Sequence, residues 1–268
     1  MNDRKRSRLV RRLLVSLTVL LVVIVSGPIL ALATGKARLD GDWRTGNRDS
    51  AGIAPAPDAH RDAVVQVYAA RALRWRGVFG VHTWISVKPG NAPAYKVYEV
   101  IGWRHYRGHP SVSISGRPPD GRWYGAEPVL LADLRGRAAE RAIPRIDAAA
   151  RSYPFINHYR VWPGPNSNTF TAHVIRQVPD LRVHLPATAV GKDYLPGGVV
   201  SRAPSGTGYQ FSLFGVLGLM AARMEGVELN LLGLTFGLDP VPLTLKLPGL
   251  GNLHLVGEPS NPGKPLPG

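Results

Sequence analysis

The chain has 268 residues and no cysteine, and its 33 Lys and Arg against 18 Asp and Glu leave a formal charge of +15. Such a length holds one large or two small domains around a buried core, and 44% hydrophobic residues with only 19% charged exclude wholesale disorder. Without cysteine there is no disulfide framework, no thiolate metal site and no thiol nucleophile.

Residues 1–12 carry six Lys and Arg and one Asp, and Leu13 to Ala33 follow with 21 uncharged residues. A run of that length can cross a bilayer as one helix, and the cations before it predict an N-terminus inside and the remainder outside. The competing reading is a cleaved signal sequence ending at Ala31-Leu32-Ala33, although its apolar run exceeds the usual length. With +5 of the charge assigned to topology, the rest faces anionic envelope components rather than nucleic acid.

Residues 34–58 are polar and rich in Gly and Pro, reading as a linker or an extended wrap. Residues 59–75 place Val64, Val67, Tyr68, Arg71, Ala72 and Trp75 near helical spacing, which predicts an amphipathic helix. From Val78 to Lys88 the pattern alternates, with Val81, Thr83, Ile85 and Val87 on one face and His82, Trp84 and Ser86 on the other. A Pro/Gly turn and a second run, Tyr95 to Trp103, make this a hairpin. Short strands are expected at Ser111–Ser115 and Arg122–Tyr124. Residues 133–152 read as helix broken near Pro144. Tyr153 to Trp162 reads as extended, and Phe170, Val174 and Val178 mark a helix over 167–178. The segment 201–257 is rich in Leu, Gly and Pro and reads as hairpins forming a Leu-rich β core. If exposed, it is apolar enough to meet lipid or a partner. The last residues, 258–268, read as a disordered tail. The domains are therefore 1–33 tail and anchor, 34–58 linker, 59–200 α+β core and 201–257 β-rich extension.

The sharpest local feature is Gly164-Pro165-Asn166-Ser167-Asn168-Thr169-Phe170. It sets Ser167 at a helix start, where unpaired N–H groups and the helix dipole favour an oxyanion. Capping by Asn166, Ser167 or Asn168 explains the same residues without chemistry. A serine nucleophile needs a base, and among eight histidines His82 is the best placed, fixed mid-strand beside Trp84. Glu99 on the next strand can orient the imidazole, as a triad's third member does. Its structural role would be an ion pair with one of many arginines. His105 and His109 are four apart, but Gly108 and Pro110 argue against a helical metal pair. There is no HExxH, P-loop, GxGxxG or GxSxG motif, and nothing calls for a cofactor or metal. Trp84, Trp103, Trp123 and Trp162 with Tyr95, Tyr98, Tyr124 and Tyr153 form either an aromatic core or a groove for an anionic, sugar-bearing or acyl ligand.

The segments VHTWISVKPG (81–90), YEVIGWR (98–104), YPFINHYRVWPGPNSNTFTAHVIRQVPDL (153–181) and LPATAVGKDYLP (185–196) resemble an uncharacterised bacterial family, domain of unknown function 3750. That resemblance brings no established activity. A weaker similarity is to circularly permuted papain-like folds of the NlpC/P60 type. There an early-strand His precedes a helix-starting nucleophile, often in the pattern N-C-x-x-F. Asn166-Ser167-Asn168-Thr169-Phe170 matches it with Ser167 at the Cys position and His82 as the strand histidine. The expected protein is then an N-terminal transmembrane helix followed by a papain-like α+β domain, in a bacterial inner membrane, single-pass, with its domain periplasmic or extracellular. Its expected function is a serine-dependent hydrolase or acyltransferase on an envelope amide or ester. The alternative is a non-catalytic envelope-binding or scaffolding protein with a degenerate site.

Overall fold

The computed structural model describes residues 3–255, so the tail expected at 258–268 lies outside them. Helix α1 (Asp3–Ala33) leads the chain, and Ser7–Ala33 is long and apolar enough to cross a membrane, with mean hydropathy 2.7. The elements that follow make an α+β structure with two antiparallel sheets.

The first sheet has five strands in the order β4-β3-β2-β1-β5, formed by β1 (Val64–Arg71), β2 (Val81–Lys88), β3 (Lys96–Val100), β4 (Val112–Ser115) and β5 (Val129–Arg135). β1 is a strand, not the helix its spacing predicts. It lies between β2 and β5 and is buried along nearly its whole length. A strand covered on both faces has no reason to alternate, so period 2 is lost, and Val64, Val67 and Tyr68 imitate helical spacing by chance.

Two one-turn helices interrupt the sheet's connections, α2 (Arg76–Phe79) before β2 and α3 (Gly102–Tyr106) after β3. The expected second strand therefore stops at Val100, and Trp103 belongs to α3. At 122–124 there is only an isolated bridge from Trp123 to Ala126. Residues 153–162 form turns rather than an extended segment.

One face of this sheet carries α4 (Gly136–Arg151) and α5 (Ser167–Gln177). The main core forms there from Val65, Val67, Ile85, Val87, Tyr98, Ile146, Phe170 and Val174. α4 runs through Pro144 without the expected break. Pro144 sits on the exposed side of the helix, so the Glu140 carbonyl that loses its donor is left to water. The opposite face carries Tyr68, Trp84 and Val97, covered by Ile53, Trp123 and Leu130. Part of the 34–58 segment wraps this face. Buried Asp120 accepts from Ser50 Oγ at 2.7 Å and Ala54 N at 3.0 Å, and Ser50 bridges to Gly121.

The second sheet has seven strands in consecutive order, β6 (Val200–Arg202), β7 (Gly208–Leu213), β8 (Leu217–Ala222), β9 (Gly226–Leu231), β10 (Leu234–Pro240), β11 (Leu243–Leu247) and β12 (Gly251–His254). The expected Leu-rich core is reversed here. The buried row is polar, with Gln210, Ser212, Glu228, Asn230, Asp239, Thr244 and Lys246, while Phe211, Leu217, Leu219, Val227, Leu229 and Leu238 face outward. The registers Phe211↔Leu219, Leu219↔Leu229 and Val227↔Leu238 join the outward residues into a continuous apolar ladder.

The polar row closes on Lys192 and Asp193, which precede the sheet. Lys192 Nζ bonds Asp193 Oδ1 at 3.1 Å and also Glu228, whose other oxygen takes Lys246 Nζ at 2.6 Å. Asn230 donates to Asp193 at 2.8 Å, and Gln210 also donates to it. Burial raises the Asp193 carboxyl, and Lys192, with Asn230 and Arg176, more than offsets this, so the net direction is downward. This charge-paired core ties the second sheet to the segment after α5, and Arg176 of α5 joins it by donating to Gln210 Oε1 at 2.7 Å.

Candidate functional site

At one end of the first sheet the finish of β1, the start of β2 and the finish of β3 come together. β2 pairs antiparallel to both neighbours there. α5 begins at that same end. The local sequence explains why. Asn166 is the N-cap, and its Oδ1 accepts from Asn168 N at 2.9 Å and Thr169 N at 3.2 Å. Thr169 Oγ1 returns a bond from Asn166 N at 3.1 Å, completing a capping box. Asn168 pins the helix to the sheet. Its Nδ2 donates to Val81 O at 3.0 Å and Val190 O at 2.8 Å, and its Oδ1 accepts from Thr83 Oγ1 at 3.0 Å. Gly191 is needed beside the cap, because a Cβ on it would collide with the Asn166 amide and its φ is +98°.

Ser167 has none of these duties. Its Oγ makes no hydrogen bond to any described residue, although the side chain is mostly buried. Its backbone N–H, at the first helical position, likewise has no acceptor among the described residues. Of the four polar residues from 166 to 169, the serine alone has its side chain uncommitted.

His82 lies on the opposite face of the sheet from α5. Its ring stacks on Trp123 with centroids 3.6 Å apart and an interplanar angle of 14°, and on Trp84 at 5.7 Å. Its Nε2 is 2.8 Å from Glu99 Oε2. Arg117 clamps the same carboxylate, with Nε 2.8 Å from Oε1 and Nη2 3.1 Å from Oε2. The guanidinium itself lies over Trp84, 4.7 Å from the ring centroid.

Burial raises the Glu99 carboxyl, but the bond from His82 and the charge of Arg117 outweigh it and hold the group at about 2. Burial pushes the His82 imidazole down, only partly opposed by Glu99. The histidine is therefore neutral near pH 7 and faces an ionised, acceptor-only carboxylate. Its proton must sit on Nε2, which leaves Nδ1 as a free base. Nδ1 makes no hydrogen bond to a described residue.

Ser167 and His82 both line one cavity of about 1040 Å³ that curls around the sheet end. They approach it from the two sides of the sheet, and the nucleophile–base hydrogen bond is not formed between them. The wall between holds Val81, Val100, Ile101, Val161 and Val190. Trp75, Phe79, Trp103, Trp123, Tyr124 and Trp162 ring it, with Arg48, Arg74, Arg76 and Arg107 and no acidic residue.

The aromatic set expected from the sequence divides here. Trp103, Trp123, Tyr124 and Trp162 line the cavity, and Trp84 underlies His82. Tyr98 bonds Asp147 at 3.1 Å, and Tyr153 packs on Phe170 in the main core. Arg117, Trp43 and Trp75 are functional candidates that the sequence did not reveal. Arg117 sits in a Pro-rich loop where an isolated arginine carries no local signal.

Neither a curated protein nor a solved structure matches the chain. Residues 62–194 match the family described as Protein of unknown function (DUF3750). His82, Glu99, Arg117 and Ser167 all fall inside that span, as do the five strands that position them. Through residues 62–194, the chain belongs to the DUF3750 family.

Proposed function

We propose that Ser167, His82 and Glu99 form a serine-dependent acyl-transfer site acting on an amide or ester of the cell envelope. The observation that carries it is the pairing of two free groups in one cavity. His82 has its Nε2 committed to ionised Glu99 and its Nδ1 open, and Ser167 has an uncommitted hydroxyl over an uncommitted N–H. A helix-starting nucleophile, a strand imidazole and a polar third residue on the next strand resemble the circularly permuted papain-like arrangement, and we read the domain as a serine variant of it.

In the reaction, Ser167 Oγ attacks the carbonyl carbon and its proton passes to His82 Nδ1. The carbonyl electron pair moves to oxygen, where the Ser167 N–H receives it. Collapse breaks the bond to the leaving alcohol or amine, which takes the proton back from His82. Water or a second acceptor then attacks the acyl-serine by the same sequence. Glu99 stays ionised, fixing the tautomer and stabilising the imidazolium. Glu99 supports the basicity of His82 against burial, while Arg117, which keeps Glu99 ionised, lowers it. Because Ser167 and His82 approach the cavity from opposite sides of the sheet, proton transfer between them requires the sheet end to rearrange around the bound substrate.

We read α1 as an uncleaved anchor with the domain on the outer side. Gly27, Pro28 and Ala31 are buried against the domain, and a Cβ on Gly27 would collide with Pro248 O. A segment destined for removal has no need of such a seat. The basic N-terminus supports an inside start.

The test is labelling of the membrane-embedded protein by a fluorophosphonate probe. Wild type labels, and Ser167→Ala and His82→Ala do not. Equal labelling of all three ends the proposal. The unformed Ser167–His82 bond favours a second reading, an envelope-binding module with a degenerate site. Absence of labelling in wild type, with ligand binding intact, selects it.

A further inference from the structure

The cavity's position relative to α1 says which acyl donor reaches it. Ala31, near the outer end of α1, packs with Val78 of α2 and Ala37 in one small buried cluster. Arg76 and Phe79, flanking Val78 on the same four-residue helix, line the cavity. Four helical residues rise about 6 Å, so the lining residues Arg76 and Phe79 lie within a turn of the residue that packs on the outer end of α1. The headgroup layer on each side of the hydrocarbon core is about 5–7 Å deep. With α1 spanning the bilayer, cavity residues at that height lie at the headgroup layer.

The surface there has the composition of an interface. Trp43, Trp75, Trp103 and Trp162 are exposed around the rim, where indoles favour the boundary between apolar and wet. Trp162 Nε1 donates at 2.8 Å to the carbonyl of Leu232, itself an exposed hairpin-tip residue that lines the cavity. Behind the rim the wall turns aliphatic. The volume is at the upper end for a small-molecule pocket, which suits a long apolar chain better than a compact polar group. Charge completes the match, with four arginines at the lining and no carboxylate to compensate them.

We propose that the acyl donor is an anionic phospholipid, taken from the leaflet at the outer end of α1. The acyl chain enters along the aromatic rim, the phosphate is held by Arg76 and Arg107, and the ester carbonyl comes to Ser167 at the sheet end. This rests on the serine-dependent reading above and names its substrate.

The test uses the full chain in lipid nanodiscs containing phosphatidylglycerol with a diazirine on one acyl chain, compared with phosphatidylcholine bearing the same group. After photolysis, adducts are mapped by peptide mass spectrometry. Phosphatidylglycerol should mark the peptides holding Val100–Ile101 and Val161 at least fivefold more than phosphatidylcholine does. Adducts on α1 serve as the internal reference, equal for both lipids. Arg76→Glu with Arg107→Glu, both at exposed positions, should remove that preference while leaving α1 adducts unchanged. Ser167→Ala should keep the cavity adducts, because it removes the nucleophile and not the site. Adducts confined to α1, or equal cavity adducts from both lipids, overturn the assignment. Fluorophosphonate labelling of Ser167 together with adducts only on α1 refutes the lipid and spares the chemistry. Cavity adducts without labelling do the reverse.

Discussion

His82 and Glu99 meet diagonally across β2 and β3, Nε2 to Oε2 at 2.8 Å, both on the face of the sheet turned away from α5. Same-face neighbours on adjacent strands are held by the backbone ladder rather than by a loop. The orientation of the imidazole is therefore built into the sheet, and Arg117 supplies the countercharge that keeps the buried carboxylate ionised.

Arg117→Gln should destabilise the domain by about 3–5 kcal/mol, because it leaves the fully buried Glu99 carboxylate without its cation. Glu99→Gln should cost less, since the Arg117 guanidinium it leaves unpaired is partly exposed and screened by water. Urea unfolding of both variants at pH 7 ranks them, and the opposite order contradicts the placement of charge.

The pH dependence has a definite sign. Glu99 is held at about 2 in the folded protein, below its ordinary 4.5. Its contribution is complete above about pH 4.5 and is lost as pH falls toward 2. His82 is also shifted downward from 6.5, so below that pH the unfolded chain takes a proton that the folded site resists. Both groups make stability fall with acid. Denaturation midpoints from pH 7 to pH 3 should fall more steeply for wild type than for His82→Phe/Glu99→Leu, whose site carries neither group.

Asn166 and Ser167 are chain neighbours with opposite expected behaviour. Ser167→Ala should change stability by no more than about 0.5 kcal/mol, since its hydroxyl bonds nothing among the described residues. Asn166→Ala removes the cap of two N–H groups and the bonds to Val161 O and Val190 O. It should cost about 2 kcal/mol or more. Thermal melts of the two variants side by side test the division of labour, and a large loss for Ser167→Ala assigns the serine a structural role.

Lys192→Met should be among the most damaging single changes in the chain, at about 3–5 kcal/mol. It leaves Asp193 and Glu228 buried with reduced compensation. Hydrogen exchange should show the loss reaching β7 to β11 and α5, because Arg176 of α5 bonds Gln210 within the network. Protection lost in β7 to β11 alone would show that α5 is not coupled to them this way.

Much of the site was legible in the chain, and the reason is local. The anchor needs only an uncharged run behind six cations. The helix start at 166–169 is written in Gly, Pro, Asn and Thr, whose backbone preferences act over a few residues. β2 alternates, so its two faces, and His82's place on the outer one, can be read directly. Glu99 follows from the hairpin that joins β2 to β3.

What only the tertiary structure decided depends on burial. β1 lost its period because both its faces are covered, and α4 kept Pro144 because water can satisfy the carbonyl it orphans. In the second sheet the polar residues turned inward, since Lys192 and Asp193, distant in sequence from most of that sheet, supply charges that must be paired out of water. The clamp of Arg117 on Glu99 comes from a loop with no local signal, and the seating of α1 against Val78 and Pro248 joins segments far apart in the chain. Residue type and spacing determined which groups were available for chemistry. Long-range packing decided which of them face one another, because desolvation makes a buried charge depend on a partner that no local pattern names.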